Sequence, residues 1–150
     1  MSMKAIIING PNLNLLGTRE PEIYSSTSLD DVAEQCRTTA AEHDIELEFL
    51  QSNFEGQIVE WIQGAIDTVD VIIINAAAYT HTSVAIHDAL KSYHGYKIEL
   101  HISNPHLRES FRHVSFISTV VDAIVAGLGV SGYAQVVELL PQLLAETQRK

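Results

Sequence analysis

Two short apolar runs, Ala5-Ile-Ile-Ile8 and Val71-Ile-Ile-Ile74, restrict this chain more than any other feature. Unbroken β-branched runs with no polar alternation are the mark of parallel strands covered by helices on both faces. The rest of the chain fits around them. Lys4–Asn9 reads as a first strand. From Leu29 to about His43, Val32, Ala33, Cys36 and Ala40 fall at helical spacing, with Ser28 as N-cap and Asp31 as its carboxylate partner. Ile45–Leu50 alternates as a partly exposed second strand. Glu55–Asp67 puts Ile58, Trp61, Ile62, Ala65 and Ile66 on one helical face, and Val69–Ile74 is the third strand. Thr82 or Ser83 caps a third helix through about Tyr93, and Lys97–Ile102 is the fourth strand. Ser118 to about Gly127 is a fifth apolar run. A last helix runs from about Gly132 to Thr147, with Pro141 expected to kink or break it.

This alternation, with right-handed crossovers, gives a three-layer α/β sandwich around a five-stranded parallel sheet. The expected strand order is 2-1-3-4-5, flavodoxin-like, a choice resting on fold frequency. Residues 1–150 read as one domain. A formal net charge of -10 argues against a general nucleic-acid or anionic-membrane binder. It leaves room for a small anion, because a few local Arg and His residues dominate at short range. With one cysteine, Cys36, no intrachain disulfide can form, and a cytoplasmic location is expected. No apolar run reaches the roughly 18 residues of a membrane span. Met1–Lys4 leads too quickly into a strand to read as a signal peptide.

In such a fold, ligands bind beyond the carboxyl ends of the strands. The first strand opens into Asn9-Gly-Pro-Asn-Leu-Asn-Leu-Leu-Gly17-Thr-Arg-Glu-Pro-Glu-Ile-Tyr24, which brings Asn12, Arg19 and Tyr24 to that edge. The third strand brings Asn75, Thr80, His81 and Ser83, and the fourth brings His101, Ser103, Asn104 and His106. Arg108 and Arg112 follow. His43, His87, His94 and His113 read as surface or packing residues. His81, His101 and His106 could meet around a metal, yet no HxxxH or HExxH pair supports it and none is expected. Neither GxGxxG nor a Walker loop follows the first strand, and no serine has a GxSxG context. Tyr, His, two Asn and two or three Arg suit proton transfer on a small anion, since Arg grips carboxylates in a bidentate fork. To act as a base near pH 7, Tyr24 must have its pKa lowered by about three units from 10, roughly 4 kcal/mol of preference for the phenolate. Arg19, five residues away, is the group able to supply it.

Four of these stretches resemble type II 3-dehydroquinate dehydratases: Asn9–Tyr24, Tyr79–Asp88, Glu99–Pro105 and Arg108–His113, with Gly127-Leu-Gly-Val-Ser-Gly-Tyr133 further on. The resemblance implies a flavodoxin-like enzyme of the shikimate pathway, which leads to aromatic amino acids. It implies anti elimination of water from 3-dehydroquinate through an enolate, with no cofactor. By the same resemblance Tyr24 is the base, Arg19 supports its phenolate, and Asn12 holds the network around the enolate oxygen. His101 is the general acid, Asn75 orients near it, and Glu99 keeps it in the useful protonation state. His81, the Ile102 and Ser103 amides and Arg112 bind substrate. Asp88 reaches a neighbouring subunit's site, Arg108 closes a loop, and Gly17–Ser26 forms a lid. The family assembles as a dodecamer of four trimers.

The chain departs from the family pattern in three places. Ser25 stands where Gly usually follows the tyrosine. Ala76-Ala77 replaces Pro-Gly or Pro-Ala, removing a fixed φ beside Asn75. His87 stands where many members have Arg. Two other readings remain. One is a flavodoxin-like module that binds an anionic metabolite through Arg19, Arg112 and Ser103 without chemistry. The other is a metal-dependent hydrolase built on His81, His101 and His106.

Overall fold

The computed structural model describes residues 2–18 and 26–148. Its elements run β1 (Met3–Asn9), α1 (Leu29–Glu42), β2 (Ile45–Gln51), α2 (Glu55–Ala65), β3 (Val71–Asn75), α3 (Val84–Ser92), β4 (Tyr96–His101), β5 (Ala123–Ala126) and α4 (Gly132–Gln148). The five strands are parallel and ordered β2-β1-β3-β4-β5, as expected.

Side chains of a strand alternate between its two faces, and the apolar runs of β1 and β3 fill both. Ala5, Ile7, Val71 and Ile73 pack under α1 and α4 with Val32, Cys36, Val137 and Leu140. Ile6, Ile8, Ile72 and Ile74 pack under α2 and α3 with Ile58, Ile62, Ile86 and Leu90. Burial pushes the Cys36 thiol up to about 12, fitting a packing residue rather than a nucleophile. Helix α1 starts in a full capping box: the Ser28 amide donates to Asp31 Oδ2 at 3.0 Å, and the Asp31 amide donates to Ser28 Oγ at 3.1 Å.

Two expectations need correction. Pro141 neither ends nor breaks α4, which continues to Gln148. Val136, Val137 and Leu140 are buried and Leu143 and Leu144 pack against the same cluster, so tertiary contacts on both sides of the proline outweigh its missing N–H. The fifth strand is also shorter than the apolar run, because Ser118–Val120 forms a 3-10 turn. Ser115 Oγ accepts from the Ile117 and Ser118 amides, both at 3.1 Å, and turns the chain there. No helix among the described residues is long and apolar enough to cross a membrane.

The register places Asn9 beside Asn75 at the carboxyl edge of the sheet. Just beyond it, the Gly10 amide donates to the Asn75 carbonyl at 2.8 Å. A Cβ on Gly10 would lie 2.3 Å from the Ala76 carbonyl oxygen, so only glycine lets the loops after β1 and β3 come this close.

Candidate active site

A cavity of about 530 Å³ opens over the carboxyl ends of β1, β3 and β4. Its walls include Asn12, Asn75, His81, His101, Ser103 and Arg112. Arg108 and Ile102 also face it. The structure thus gathers Asn12, Asn75, His81, His101 and Ser103 from the three strand ends, together with Arg108 and Arg112. Arg19, Tyr24 and Ser25, and with them most of the expected lid, lie outside the described residues. Asp88 is exposed on α3 and lines neither this cavity nor the smaller one beside it. Ser83 is not part of the cavity wall. It is buried as the N-cap of α3, accepting from the Ile86 amide at 2.9 Å.

The wall after β1 is held by amides. Asn12 adopts φ 70, a left-handed conformation that Asn tolerates better than most residues. Its backbone N–H donates to Asn53 Oδ1 at 2.9 Å. Gln51 Nε2 donates to the Gly10 carbonyl and to Asn53 Oδ1, both at 3.1 Å, and Tyr79 OH donates to the Asn53 carbonyl at 2.7 Å. Gln51 and Asn53 directly follow the stretch expected as the second strand, and nothing local in the sequence marks them as part of the site.

Asn75 is fixed from both ends. Its Oδ1 accepts from the Ala77 amide at 3.1 Å, and its Nδ2 donates to Tyr133 OH at 2.8 Å. The Tyr133 hydroxyl in turn donates to Asn9 Oδ1 at 2.7 Å, and Asn9 Nδ2 donates to the Leu50 carbonyl at 3.0 Å. Burial pushes the Tyr133 phenol up, against the hydrogen bond from Asn75, so it stays a donor. The backbone keeps a proline-like shape here. Ala76 adopts φ -74 on its own, close to the value a proline ring imposes. Ala77 at φ 50 takes the conformation that glycine takes more cheaply.

The fourth strand supplies a His–Glu pair. Glu99 is 2% exposed, and its Oε2 lies 2.5 Å from His101 Nε2. Ser115 Oγ donates to the same Oε2 at 2.9 Å, and Ser118 Oγ donates to Oε1 at 2.5 Å. Burial alone would raise the Glu99 pKa. The hydrogen bonds from His101 and Ser118, the charge of His101 and the hydrogen bond from Ser115 outweigh it and hold the carboxyl below its ordinary range. Glu99 is therefore an anion, and His101 Nε2 carries the proton between them. The other ring nitrogen, Nδ1, has no hydrogen-bond partner among the described residues. Neither Ser115 nor Ser118 stood out in the sequence, because an ordinary serine carries no sign of which distant carboxylate it will meet.

Anion-binding groups sit nearby. Among the described residues, the Ile102 and Ser103 amides make no hydrogen bond, which leaves two N–H donors at the cavity wall. Arg112 gives Nε to Glu109 Oε2 at 2.6 Å, and its remaining N–H groups are still available to a ligand. His81 Nδ1 donates to the Val114 carbonyl at 2.8 Å, so its Nε2 is the unprotonated nitrogen when the ring is neutral. His87 and His113 are structural in the same way, donating to the Phe116 carbonyl at 2.6 Å and the Arg108 carbonyl at 3.0 Å.

His101 also forms part of the wall of a second cavity of about 230 Å³, which Thr80, His106 and His113 line from the other side. His81, His101 and His106 all line this smaller cavity, but their ring nitrogens do not come within metal-ligand spacing of one another. Among the described residues the cluster with metal-ligand spacing is Glu42, His43 and Glu138, on α1 and α4, and none of its members lines either cavity.

A parallel sheet of this order, with a polar cavity over its carboxyl edge and a buried carboxylate behind a histidine, defines an α/β enzyme with acid–base groups. Comparison with known proteins narrows the class. Residues 3–141 match the profile of the family described as Dehydroquinase class II. The chain is 50% identical over 149 residues to the 3-dehydroquinate dehydratase of Bartonella tribocorum, covering 99% of this chain and all of the relative. It is 56% identical over 138 residues to the catabolic 3-dehydroquinase of Penicillium rubens, covering 92% of this chain and 89% of that one. The crystal structure of type II dehydroquinase from Butyrivibrio crossotus superposes with a TM-score of 0.89 at 44% identity, covering 93% of this chain and 98% of that one. The chain belongs to the class II dehydroquinase family.

Proposed function

We propose that the protein is a type II 3-dehydroquinate dehydratase, converting 3-dehydroquinate to 3-dehydroshikimate by anti elimination of water. The observation that carries this reading is the buried Glu99–His101 pair at 2.5 Å on the wall of a 530 Å³ cavity, beside two unengaged amides and Arg112. The Ile102 and Ser103 amides take the substrate carboxylate, Arg112 a ring hydroxyl, and His81 supports binding. Tyr24, ionised with the help of Arg19, removes the C2 proton. The C2–H electron pair becomes the enolate, whose oxygen faces the polar network of Asn12. The enolate electrons then re-form the ketone and expel the C1 hydroxyl. His101 acts as the imidazolium, its Nε2–H held by Glu99, and protonates that group from Nδ1–H, so it leaves as water, and Asn75 orients nearby. Because Nε2 is tied to Glu99, Nδ1 is the nitrogen left to meet the substrate. An anti elimination needs base and acid on opposite faces, which suits residues from the ends of β1 and β4.

The remaining parts of the proposal follow the family. The 150 residues act as one catalytic domain without a cofactor, in the cytoplasm and in the shikimate pathway. Copies assemble as a tetramer of trimers, with Asp88 reaching into a neighbour's site and Arg108 closing a loop. The test is turnover by EDTA-treated protein, followed by the ultraviolet absorbance of the conjugated product. Wild type is expected to turn over, and Tyr24→Phe to lose roughly 10²- to 10⁴-fold in kcat while still binding substrate. A folded wild type that binds 3-dehydroquinate without turnover would transfer the weight to a binding module.

A further inference from the structure

The Glu99 carboxylate is gripped by more than the histidine it serves. Both of its oxygens are held by hydroxyls from one turn, Ser115–Ser118. The direction of one of these bonds is fixed by the backbone. Ser115 Oγ already accepts from the Ile117 and Ser118 amides, both at 3.1 Å. A hydroxyl has two acceptor lone pairs and one proton, so with both lone pairs taken the proton is left for Glu99 Oε2 at 2.9 Å. Ser118 Oγ meets Oε1 at 2.5 Å, opposite the side shared by His101 and Ser115. The turn is anchored by Ile117, which is fully buried in the cluster under α2 and α3. Rotation of the carboxylate about its last bond would break one of these contacts. Glu99 therefore meets His101 from a set direction.

We propose that Ser115 and Ser118 are positioning residues for the reaction, holding Glu99 in the orientation that presents His101 to the larger cavity. The proposal rests on the reading of His101 as general acid. It predicts that the serines act on the chemical step and not on substrate binding, since neither lines the larger cavity. It also predicts that they act through Glu99.

Ser118 is the cleaner residue to change, because Ser115 also holds the turn. Ser118→Ala is expected to lower kcat by roughly 10- to 100-fold, less than the roughly 10²- to 10⁴-fold that a general acid contributes. KM should move by less than about threefold, and Ser118→Thr should recover most of the loss. If the alanine variant folds poorly, Ser118→Cys, similar in size and only a weak donor, should show the same kcat loss. Combined with Glu99→Gln, the loss should be smaller than the product of the two separate losses. A kcat within about twofold of wild type, a change confined to KM, or fully multiplicative losses would each overturn the proposal. Failure of the wild type to turn over would instead sink the functional reading. In that event ¹⁵N NMR of the imidazole still tests the clamp. Wild type should show a single His101 Nε2–H environment, bonded to Glu99, Ser118→Ala should show a mixture, and identical spectra would count against it.

Discussion

At the scale of single residues, the site depends on backbone conformation as much as on side-chain chemistry. Ala77 illustrates this. Left-handed φ costs an L-residue roughly 1–2 kcal/mol, yet the conformation puts the Ala77 amide on Asn75 Oδ1. Glu99 carries the pH dependence. Its folded pKa lies below the ordinary value, so unfolding favours proton uptake. The stability it contributes is present above about pH 4.3, the ordinary glutamate value, and is lost as pH falls through the folded value. Denaturant titrations at pH 5 and pH 3 should therefore show wild type losing more stability than Glu99→Gln, and parallel losses would refute the assignment. Asn75 and His101 could be picked out in the sequence because each lies at a strand end, whereas Glu99 was reached only through the family resemblance. Tyr133, Ser115 and Ser118 could not. They reach the same place from β5's approach and from α4, and nothing local to a tyrosine or serine names a partner up to 124 residues away.

At the scale of elements, the sequence was most informative where one cause acted alone. The β-branched runs of β1 and β3 and the capping box of α1 were legible, and the cap of α3 was narrowed to Thr82 or Ser83, because period and cap chemistry are local signals. Where local and tertiary effects competed, the tertiary effect prevailed, as in α4 across Pro141; the turn that shortens β5 is instead a local serine turn hidden inside an apolar run. The proline is thus a local penalty that α4 carries for the sake of its packed face. Pro141→Ala restores an N–H within the helix and is expected to stabilise the protein by about 1–2 kcal/mol, less than the full ~3 kcal/mol of an interior proline because alanine also frees the unfolded chain. Thermal unfolding checks this, and an unchanged or lower midpoint would show that the helix had already absorbed the proline. The loop after β4 is held differently. His81, His87 and His113 each give a ring N–H to a backbone carbonyl in or beside it, so His87 and His113, read as surface or packing residues, and His81, read as a site residue, all serve as its ties.

At the scale of the whole molecule, apolar side chains of the loop after β4 and of β5 lie exposed. Leu107 is 84% exposed, Phe111 64%, Val114 61% and Ile124 57%. Exposed apolar area of this kind marks contact surfaces and supports the proposed assembly. Light scattering should give about 198 kDa, twelve times the 16.5 kDa chain, and a stable monomer of full activity would exclude the dodecamer. One close approach described above also bears on how such a protein can change over generations. Gly10 and the Ala76 carbonyl leave no room for a side chain between the loops that carry Asn12 and Asn75. Those two loops therefore cannot drift apart independently. A lineage that alters the turn after β3 must keep its backbone where Gly10 needs it, and one that replaces Gly10 must rebuild both loops together. Substitution is easier on the exposed faces of the outer helices and nearly closed at this seam.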